Sequence, residues 1–242
     1  MLERRIFCFW TGENPLTENR KKGLAALRYH SGCEIALITA ERVGEFIPAD
    51  QLHPAYPHLN LAHRADFLRC YAMLHHGGGY ADIKPHYHSW EPAFRQLDGN
   101  AAIWAAGYRE PSPGAISNMY SSSCLLGESL DRRAQAYLHR KWLQLQFRSL
   151  IGCCAFVFKP QTPFAKAWWE EMNRRLDALL PALTENPARH PREQPGDMHD
   201  GEASRYPVPW THIFGDIFHV LGGRHQSRLS TVLPAPDFSN YQ

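Results

Sequence analysis

Short apolar runs and longer amphipathic segments alternate along the first hundred residues. Residues 6–10 are all apolar and predict a buried strand over 5–10, and Asn14-Pro15 then matches the start of a helix over 16–29. The same pattern predicts a strand over 34–39, a helix over 41–46, a helix over 61–76 and a strand over 80–83. Alternating strands and helices are typical of an α/β fold with a mostly parallel central sheet flanked by helices.

The second half of the chain has a less regular pattern. It predicts helices over 91–97, 129–149, 163–183 and 210–221, and strands over 101–106, 118–126 and 151–158. Residues 184–206 are rich in proline, aspartate, histidine and arginine, so we expect a mobile loop there. Because no repeat or linker interrupts the pattern, we expect one domain over 1–242, with halves over 1–100 and 101–242.

Composition and charge narrow the classes of function. Hydrophobic residues make up 44% of the 242, which is enough for a core, and the net charge of +2 is too small to favour nucleic acid as a partner. No apolar run approaches the ~20 residues of a membrane span, and we see no secretory signal. The six cysteines lack C-x-x-C spacing and fit free thiols. We therefore expect a cytoplasmic protein without an integral membrane segment, which leaves room for peripheral association with the inner face of a membrane.

The stretch from His63 to Trp90 carries charges that packing does not explain. Asp66 and Arg69 are three residues apart on the predicted helix and share a face that is not its apolar face. A surface ion pair, worth at most about 1 kcal/mol, is the simplest interpretation of that spacing alone. Three glycines then end the helix, where a single one would suffice as a cap.

Asp82 follows the short predicted strand, at a position where ligands of α/β sheets gather. Its carboxylate could bind Mg²⁺ or Mn²⁺, or it could cap a neighbouring helix. Lys84, two residues further on, could pair with Asp82 or neutralise a diphosphate. The spacing does not decide between these alternatives.

Taken together, the stretch resembles the sugar-binding region of the DXD-motif sugar transferases. These include capsular-polysaccharide synthesis transferases, initiating mannosyltransferases and glucosylating toxins, with the pattern D-x-x-R, then G-G-x-Y-x-D-x-D. The matching residues are Asp66, Arg69, Gly78, Gly79, Tyr80 and Asp82, with the glycines offset by about one position. The resemblance implies a single GT-A domain and a retaining hexosyltransferase. It also implies that Asp66 and Arg69 contact the donor sugar and that Asp82 contacts ribose or a metal ion.

The same resemblance extends to other parts of the chain. Trp10-Thr11-Gly12 matches a family position at which a tryptophan lies against the nucleobase, so residues 1–100 would bind the nucleotide-sugar and 101–242 the acceptor. Asn118 and the 152–158 strand compete for the acceptor side. Trp210 and His212 begin the last predicted helix, where free amides suit a diphosphate, although a lone histidine there is more often structural.

Lys84 departs from the family pattern, because it stands where the second aspartate of the motif belongs. Three interpretations follow. Asp82 could hold the divalent cation, Mn²⁺ or Mg²⁺, with help from a histidine or from Asp216. The Lys84 ammonium could replace the metal by stabilising the leaving diphosphate directly, or the site could be inactive. We favour the ammonium slightly over the metal ion.

The leading hypothesis is therefore a glycosyltransferase that moves a sugar from a nucleotide-sugar to a glycan or lipid-linked acceptor in bacterial surface polysaccharide synthesis. Asp82, Lys84, Asp66 and Arg69 would form its catalytic centre. The alternative is an inactive nucleotide- or carbohydrate-binding protein of the same fold. A hydrolase using Cys153 or Cys154 is disfavoured, because no base neighbours them in sequence.

Overall fold

The first half of the chain forms three strands and three helices. The computed structural model describes residues 1–239, so the last three residues of the expected domain, 240–242, lie outside the described residues. The elements are β1 (Arg5–Trp10), α1 (Glu18–His30), β2 (Glu34–Thr39), α2 (Val43–Phe46), α3 (Leu61–His75) and β3 (Gly78–Ala81). Asn60 caps α3, because its side chain accepts a hydrogen bond from the His63 backbone N–H at 2.7 Å. The cap of α1 is Thr17, not the expected Asn14.

Up to residue 239, the second half adds five helices and the remaining three strands of the central sheet. Its elements are α4 (Glu91–Gly99), β4 (Ala105–Arg109), α5 (Met119–Leu125), α6 (Leu130–Leu145), β5 (Ile151–Phe158), α7 (Pro163–Glu185), β6 (Met198–His199), β7 (Glu202–Ala203), α8 (Gly215–Arg224) and β8 (Leu229–Ser230). The strand expected over 118–126 is wrong. That segment is α5, which begins where the Asn118 side chain accepts a hydrogen bond from the Ser121 backbone N–H at 3.3 Å.

A six-stranded sheet in the order β2-β1-β3-β5-β4-β8 forms the centre of the molecule. All neighbouring pairs are parallel except those of β5, which runs antiparallel to β3 and β4. The expected α/β class, with a mostly parallel sheet flanked by helices, is confirmed. β1 and β3 lie side by side at the centre, so the loops that follow them open at the same edge.

The glycines before Asp82 allow β3 to pass through the centre of the core. Gly78 has φ +81°, which favours glycine, and a Cβ on Gly79 would lie 2.9 Å from Ile6 and 3.0 Å from Trp90. The next residue, Tyr80, points to the opposite face, where its ring packs 5.2 Å from Phe156. The glycine run thus positions Tyr80 and Asp82 through the backbone.

The segment expected to be a mobile loop, 184–206, is anchored to the rest of the protein. Glu193 is 1% exposed, and its carboxylate accepts hydrogen bonds from the His190 backbone N–H and the Ser204 hydroxyl. The Asn60 side chain in turn donates to the Glu193 carbonyl at 2.7 Å. This buried network ties the segment to the start of α3.

Candidate functional site

A pocket of about 610 Å³ opens at the edge of the sheet where β1 and β3 end. Nine of the thirteen predicted site residues line it: Trp10, Thr11, Gly12, Asp66, Arg69, Tyr80, Asp82, Lys84 and Trp210. They come from segments up to 200 residues apart in the chain. The fold therefore brings most of the predicted residues to one cavity, at the edge of the sheet where α/β proteins bind ligands.

Asp82 lies at the wall of the pocket, surrounded by donors. Its Oδ1 accepts a hydrogen bond from the Tyr80 hydroxyl at 2.6 Å and lies 3.7 Å from the Arg69 guanidinium, and its Oδ2 lies 2.9 Å from the Lys84 ammonium. Burial raises the pKa of Asp82, but the Lys84 and Arg69 cations together hold that pKa well below its ordinary value. Asp82 is therefore a carboxylate at neutral pH.

Lys84 is fixed by its backbone as well as by its charge. Its N–H donates to the Asp82 carbonyl at 2.7 Å, and a Cβ on Gly23 of α1 would lie 3.1 Å from the Lys84 carbonyl carbon. Its Nζ also lies 3.0 Å from Cys154 Sγ and 5.0 Å from the Phe238 ring centre. Burial by itself lowers the pKa of Lys84, but the neighbouring Asp82 carboxylate raises that pKa by a larger amount. The net pKa lies above its ordinary value, so the ammonium is charged at neutral pH.

Asp66 and Arg69 form a buried pair, so the interpretation as a surface ion pair is wrong. Each residue is 8% exposed, and the Arg69 guanidinium lies 3.0 Å from Asp66 Oδ1. The guanidinium is sandwiched between two rings, at 4.3 Å from the centre of Tyr80 and 4.5 Å from that of Phe214. Burial raises the pKa of Asp66 to about 7, although Arg69 opposes that shift.

The loop after β1 holds an aromatic ring at the pocket wall. Trp10 Nε1 donates a hydrogen bond to the Asn14 carbonyl at 2.6 Å, and the Thr11 hydroxyl donates to the Leu61 carbonyl at 2.6 Å. A Cβ on Gly12 would lie 2.9 Å from Leu61 Cδ1, so the glycine lets the loop pass close to the first residue of α3 without displacing that side chain. The Trp10 ring is half-buried and available to a flat ligand in the pocket.

Four predicted residues lie outside the pocket lining. Gly78 and Gly79 are buried within β3, and Asn118 is an exposed cap of α5. α8 begins at Gly215 and not at residue 210, because residues 210–214 form turns in which the Asp216 N–H donates to the Thr211 carbonyl. His212 therefore precedes the helix, and its carbonyl accepts a hydrogen bond from Arg175 at 2.6 Å.

A buried polar cluster at the pocket was missed by sequence reasoning. Cys153, Glu110 and His219 have side-chain atoms within 4.8 Å of one another, a spacing that could hold a metal ion. The Ser117 backbone N–H donates to His219 Nδ1 at 3.1 Å, so the neutral ring carries its proton on Nε2 and donates it to Glu110 Oε1 at 3.0 Å. A histidine within the apolar helix α8 was the one available sequence signal.

This tautomer restricts what the cluster can do. Nε2 of His219 lies 3.6 Å from Cys153 Sγ, but as a donor it has no lone pair for a metal ion or for the thiol proton. Burial also raises the pKa of the Cys153 thiol well above its ordinary value. The cluster in this arrangement therefore suits neither a metal centre nor a cysteine nucleophile.

The groups around Asp82 likewise do not fit a divalent cation. Both carboxylate oxygens accept hydrogen bonds from Tyr80 or Lys84, and a cation placed beside Asp82 would be repelled by the Lys84 ammonium and the Arg69 guanidinium. Mg²⁺ and Mn²⁺ prefer several oxygen ligands, whereas this carboxylate is surrounded by donors. The chemistry of the site favours an anion.

The charges of the lining point to the same ligand class. The lining cations are Arg20, Arg69, Lys84 and Arg192, and the lining carboxylates are Asp66 and Asp82. Arg20 is held in place through a hydrogen bond to the Ile83 carbonyl at 2.7 Å. Because cations outnumber carboxylates by four to two, the pocket attracts negatively charged groups.

Comparisons with known proteins identified no relative of this chain. No protein-family model, curated protein or solved structure was found to match the chain. Across residues 1–239, each helix is too short or too polar to cross a membrane, as expected from the sequence.

Proposed function

We propose that the protein is a glycosyltransferase of the GT-A type that uses a nucleotide-sugar donor without a metal ion. The observation that carries the proposal is the contact between Lys84 and Asp82, which fixes a cation at the wall of the pocket where β3 ends. In this proposal the leaving diphosphate binds at this position, as the resemblance to DXD-motif transferases implies. A fixed ammonium can stabilise that group as a metal ion does in related enzymes.

The nucleotide half of the donor would lie between the loop after β1 and the cations of the pocket. The Trp10 ring offers a stacking surface for the base, and stacking on an aromatic side chain contributes about 1–3 kcal/mol. Lys84 and Arg20 would face the diphosphate. A cation ~4 Å from a phosphate charge contributes on the order of 4 kcal/mol at an effective dielectric constant of about 20, before desolvation is subtracted.

The donor sugar would lie against the pair formed by Asp66 and Arg69. Asp66 Oδ1 is paired with Arg69, which leaves Oδ2 to accept hydrogen bonds from sugar hydroxyls. Both side chains are held rigidly, and such rigidity orients a substrate at little entropic cost.

The proposed reaction breaks the bond between the anomeric carbon and the diphosphate oxygen and forms one to an acceptor hydroxyl. Negative charge builds up on the diphosphate, where Lys84 stabilises it. The proton of the acceptor hydroxyl passes to the leaving phosphate, so retention needs no separate base. The acceptor, a glycan or lipid-linked sugar, would approach from the side of Trp210, which is 41% exposed.

Donor turnover tests this proposal. The protein is incubated with UDP-, GDP-, ADP-, dTDP- and CDP-sugars, and release of the nucleoside diphosphate is measured. We expect slow hydrolysis of one donor, abolished by Lys84→Met and retained by Lys22→Met, which changes an exposed lysine of α1. Nucleotide binding without turnover of any donor would instead support the alternative, a binding protein of this fold. The contact between Asp82 and Lys84 is compatible with that alternative, because the two side chains neutralise each other within the protein without any substrate.

A further inference from the structure

Helix α6 turns its apolar side outward. Leu130, Leu138 and Leu145 are 79%, 65% and 86% exposed, and their spacings of eight and seven residues place them on one side of the helix, within about 80° of its circumference. In a helix that packs on a globular core, such a side faces inward. The inward side of α6 is instead supplied by a different residue, Leu143, which is fully buried beside Leu150.

Aromatic residues widen this outward side into a continuous surface. Tyr137 and Trp142 are 46% and 43% exposed and flank the leucines, so the five side chains lie within about 140° of the helix circumference. Tyr120 of α5 extends the surface, since its ring makes an edge contact with Tyr137 at 5.8 Å. We call the surface formed by Leu130, Tyr137, Leu138, Trp142 and Leu145 the α6 face.

Basic residues are concentrated in and around α6, and three of them, Arg133, Arg140 and Lys141, lie within or beside the α6 face. Between residues 128 and 148 the chain carries five cations and two carboxylates, a net charge of +3, whereas the whole chain carries only +2. The cations are Arg132, Arg133, Arg140, Lys141 and Arg148. Lys141 lies over the Tyr137 ring at 5.5 Å, with its charged end beside the apolar surface. Exposed leucine, an aromatic belt and flanking cations are typical of helices that lie in a membrane interface.

We propose that the α6 face is a docking surface for an anionic lipid bilayer. Partial insertion would remove three exposed leucines from water, and Arg133, Arg140 and Lys141 would meet the negative headgroups. A second copy of the chain fits less well, because two α6 faces would bring their cations together. The charge of the face therefore favours an anionic lipid surface over a second copy of the chain.

The α6 face lies close to the pocket. Gln144 of α6 donates a hydrogen bond to the Pro113 carbonyl at 3.1 Å, and Ala115 and Ser117, which follow in the chain, line the pocket. Docking through α6 would thus bring the acceptor side of the pocket near the bilayer, where a lipid-linked acceptor is anchored. This last step rests on the proposed function, whereas docking itself does not.

Vesicle co-sedimentation tests the docking surface. The full chain is mixed with vesicles of phosphatidylcholine alone or of equal parts phosphatidylcholine and phosphatidylglycerol. We expect binding to the anionic vesicles, weakened by added salt, and a loss of about tenfold or more in the double variant Leu138→Glu, Leu145→Glu. Both positions are exposed, so the variant should fold, which circular dichroism checks. Tyr29→Glu, at an 84% exposed position of α1, is the matched control and should bind as the unmodified chain does.

Three results would overturn docking: no sedimentation with anionic vesicles, equal binding by the double variant, or a dimer in sedimentation velocity that the double variant dissolves. Affinity for nucleoside diphosphates is measured for the same proteins. It should stay unchanged, because Leu138 and Leu145 lie outside the pocket lining. A failure of the vesicle experiment is therefore distinct from a failure of the donor site.

Discussion

The Lys84 ammonium lies 2.9 Å from Asp82 Oδ2, two residues along the same chain. The Lys84 backbone N–H donates a hydrogen bond to the Asp82 carbonyl, which forms a tight turn at the end of β3. This local turn holds the two side chains next to each other. Lys84 thus puts a cation at the position where the DXD-motif transferases, which the sequence resembles, carry a second aspartate. The effect of a lysine in place of that aspartate can be measured.

Replacing Lys84 should weaken binding of nucleoside diphosphates. Lys84→Met keeps most of the side-chain volume but removes the charge, so we expect the dissociation constant to rise by about 10- to 100-fold, or about 1.4–2.7 kcal/mol. Titration calorimetry measures the change, with Lys22→Met as control. Because Asp82 keeps Arg69 and Tyr80 as partners, the variant should fold, which circular dichroism checks. An unchanged dissociation constant would remove Lys84 from the donor site.

Asp66→Asn should alter both donor binding and the pH dependence of stability. We expect weaker binding of the sugar-bearing donor than of the bare diphosphate, since the amide donates where a carboxylate oxygen would accept. With a native pKa of about 7 and an unfolded value near 4, Asp66 binds more protons in the native state across that range. Stability from this group therefore falls as pH rises from about 4 to about 7.

Asp66→Asn has no carboxyl group that titrates at this position. Its free energy of unfolding, relative to that of the unmodified chain, should therefore rise from pH 5 to pH 8. Urea unfolding at both pH values measures the difference. A relative stability that falls over the same range would show that the Asp66 carboxyl is not destabilised by burial.

Trp10→Ala should weaken nucleotide binding through lost stacking. A loss of about 1–3 kcal/mol corresponds to roughly 5- to 150-fold in the dissociation constant. Quenching of tryptophan fluorescence by the bound nucleotide should also decrease. Trp142→Ala, which removes an exposed tryptophan of α6, serves as control and should leave both signals intact. Equal affinities for the two variants would place the base elsewhere.

The unmodified protein should lose stability on mild acidification. Burial lowers the pKa of His63 and His86 to about 4 and that of His212 to about 3. The unfolded chain, with histidine pKa values near 6.5, binds more protons between pH 4 and 6.5, so the free energy of unfolding rises with pH across this window. The raised pKa of Asp66 makes the free energy of unfolding fall with pH, but this single group is outweighed by the three histidines.

Urea titrations at pH 5, 6 and 7 measure this slope. Asp66→Asn should make it steeper, because the opposing group is gone. A free energy of unfolding that is flat or falls between pH 5 and 7 would mean that these histidines are not held neutral by burial.

The sequence predicted most of the elements around β1 and β3, because there the hydrophobic pattern is strong and the turn residues agree with it. It failed at α5, where Met119 and Tyr120 are followed by three serines and no clear period distinguishes a helix from a strand. The capping hydrogen bond of Asn118 and the packing against α6 decide for a helix. Local propensity is a weak guide in a segment this short.

In the candidate site, too, residues close together in sequence could be predicted, whereas contacts between distant residues could not. Asp66, Arg69 and Asp82 lie within 17 consecutive positions and could be found from spacing and resemblance. The contact between Glu110 and His219 joins residues 109 positions apart, and that between Lys84 and Cys154 joins residues 70 apart. Such contacts depend on how the strands are ordered in the sheet, which a local pattern does not contain. The burial of Asp66 and Arg69 was missed for the same reason.

Binding of nucleoside diphosphates in the absence of metal tests the central claim most directly. UDP, GDP, ADP, dTDP and CDP are titrated by calorimetry in EDTA and again with Mn²⁺. We predict that one of them binds equally well under both conditions and that Lys84→Met weakens this binding in both. Binding that appears only with Mn²⁺, or no binding of any diphosphate, would contradict the assignment of Lys84 as the cation of the donor site.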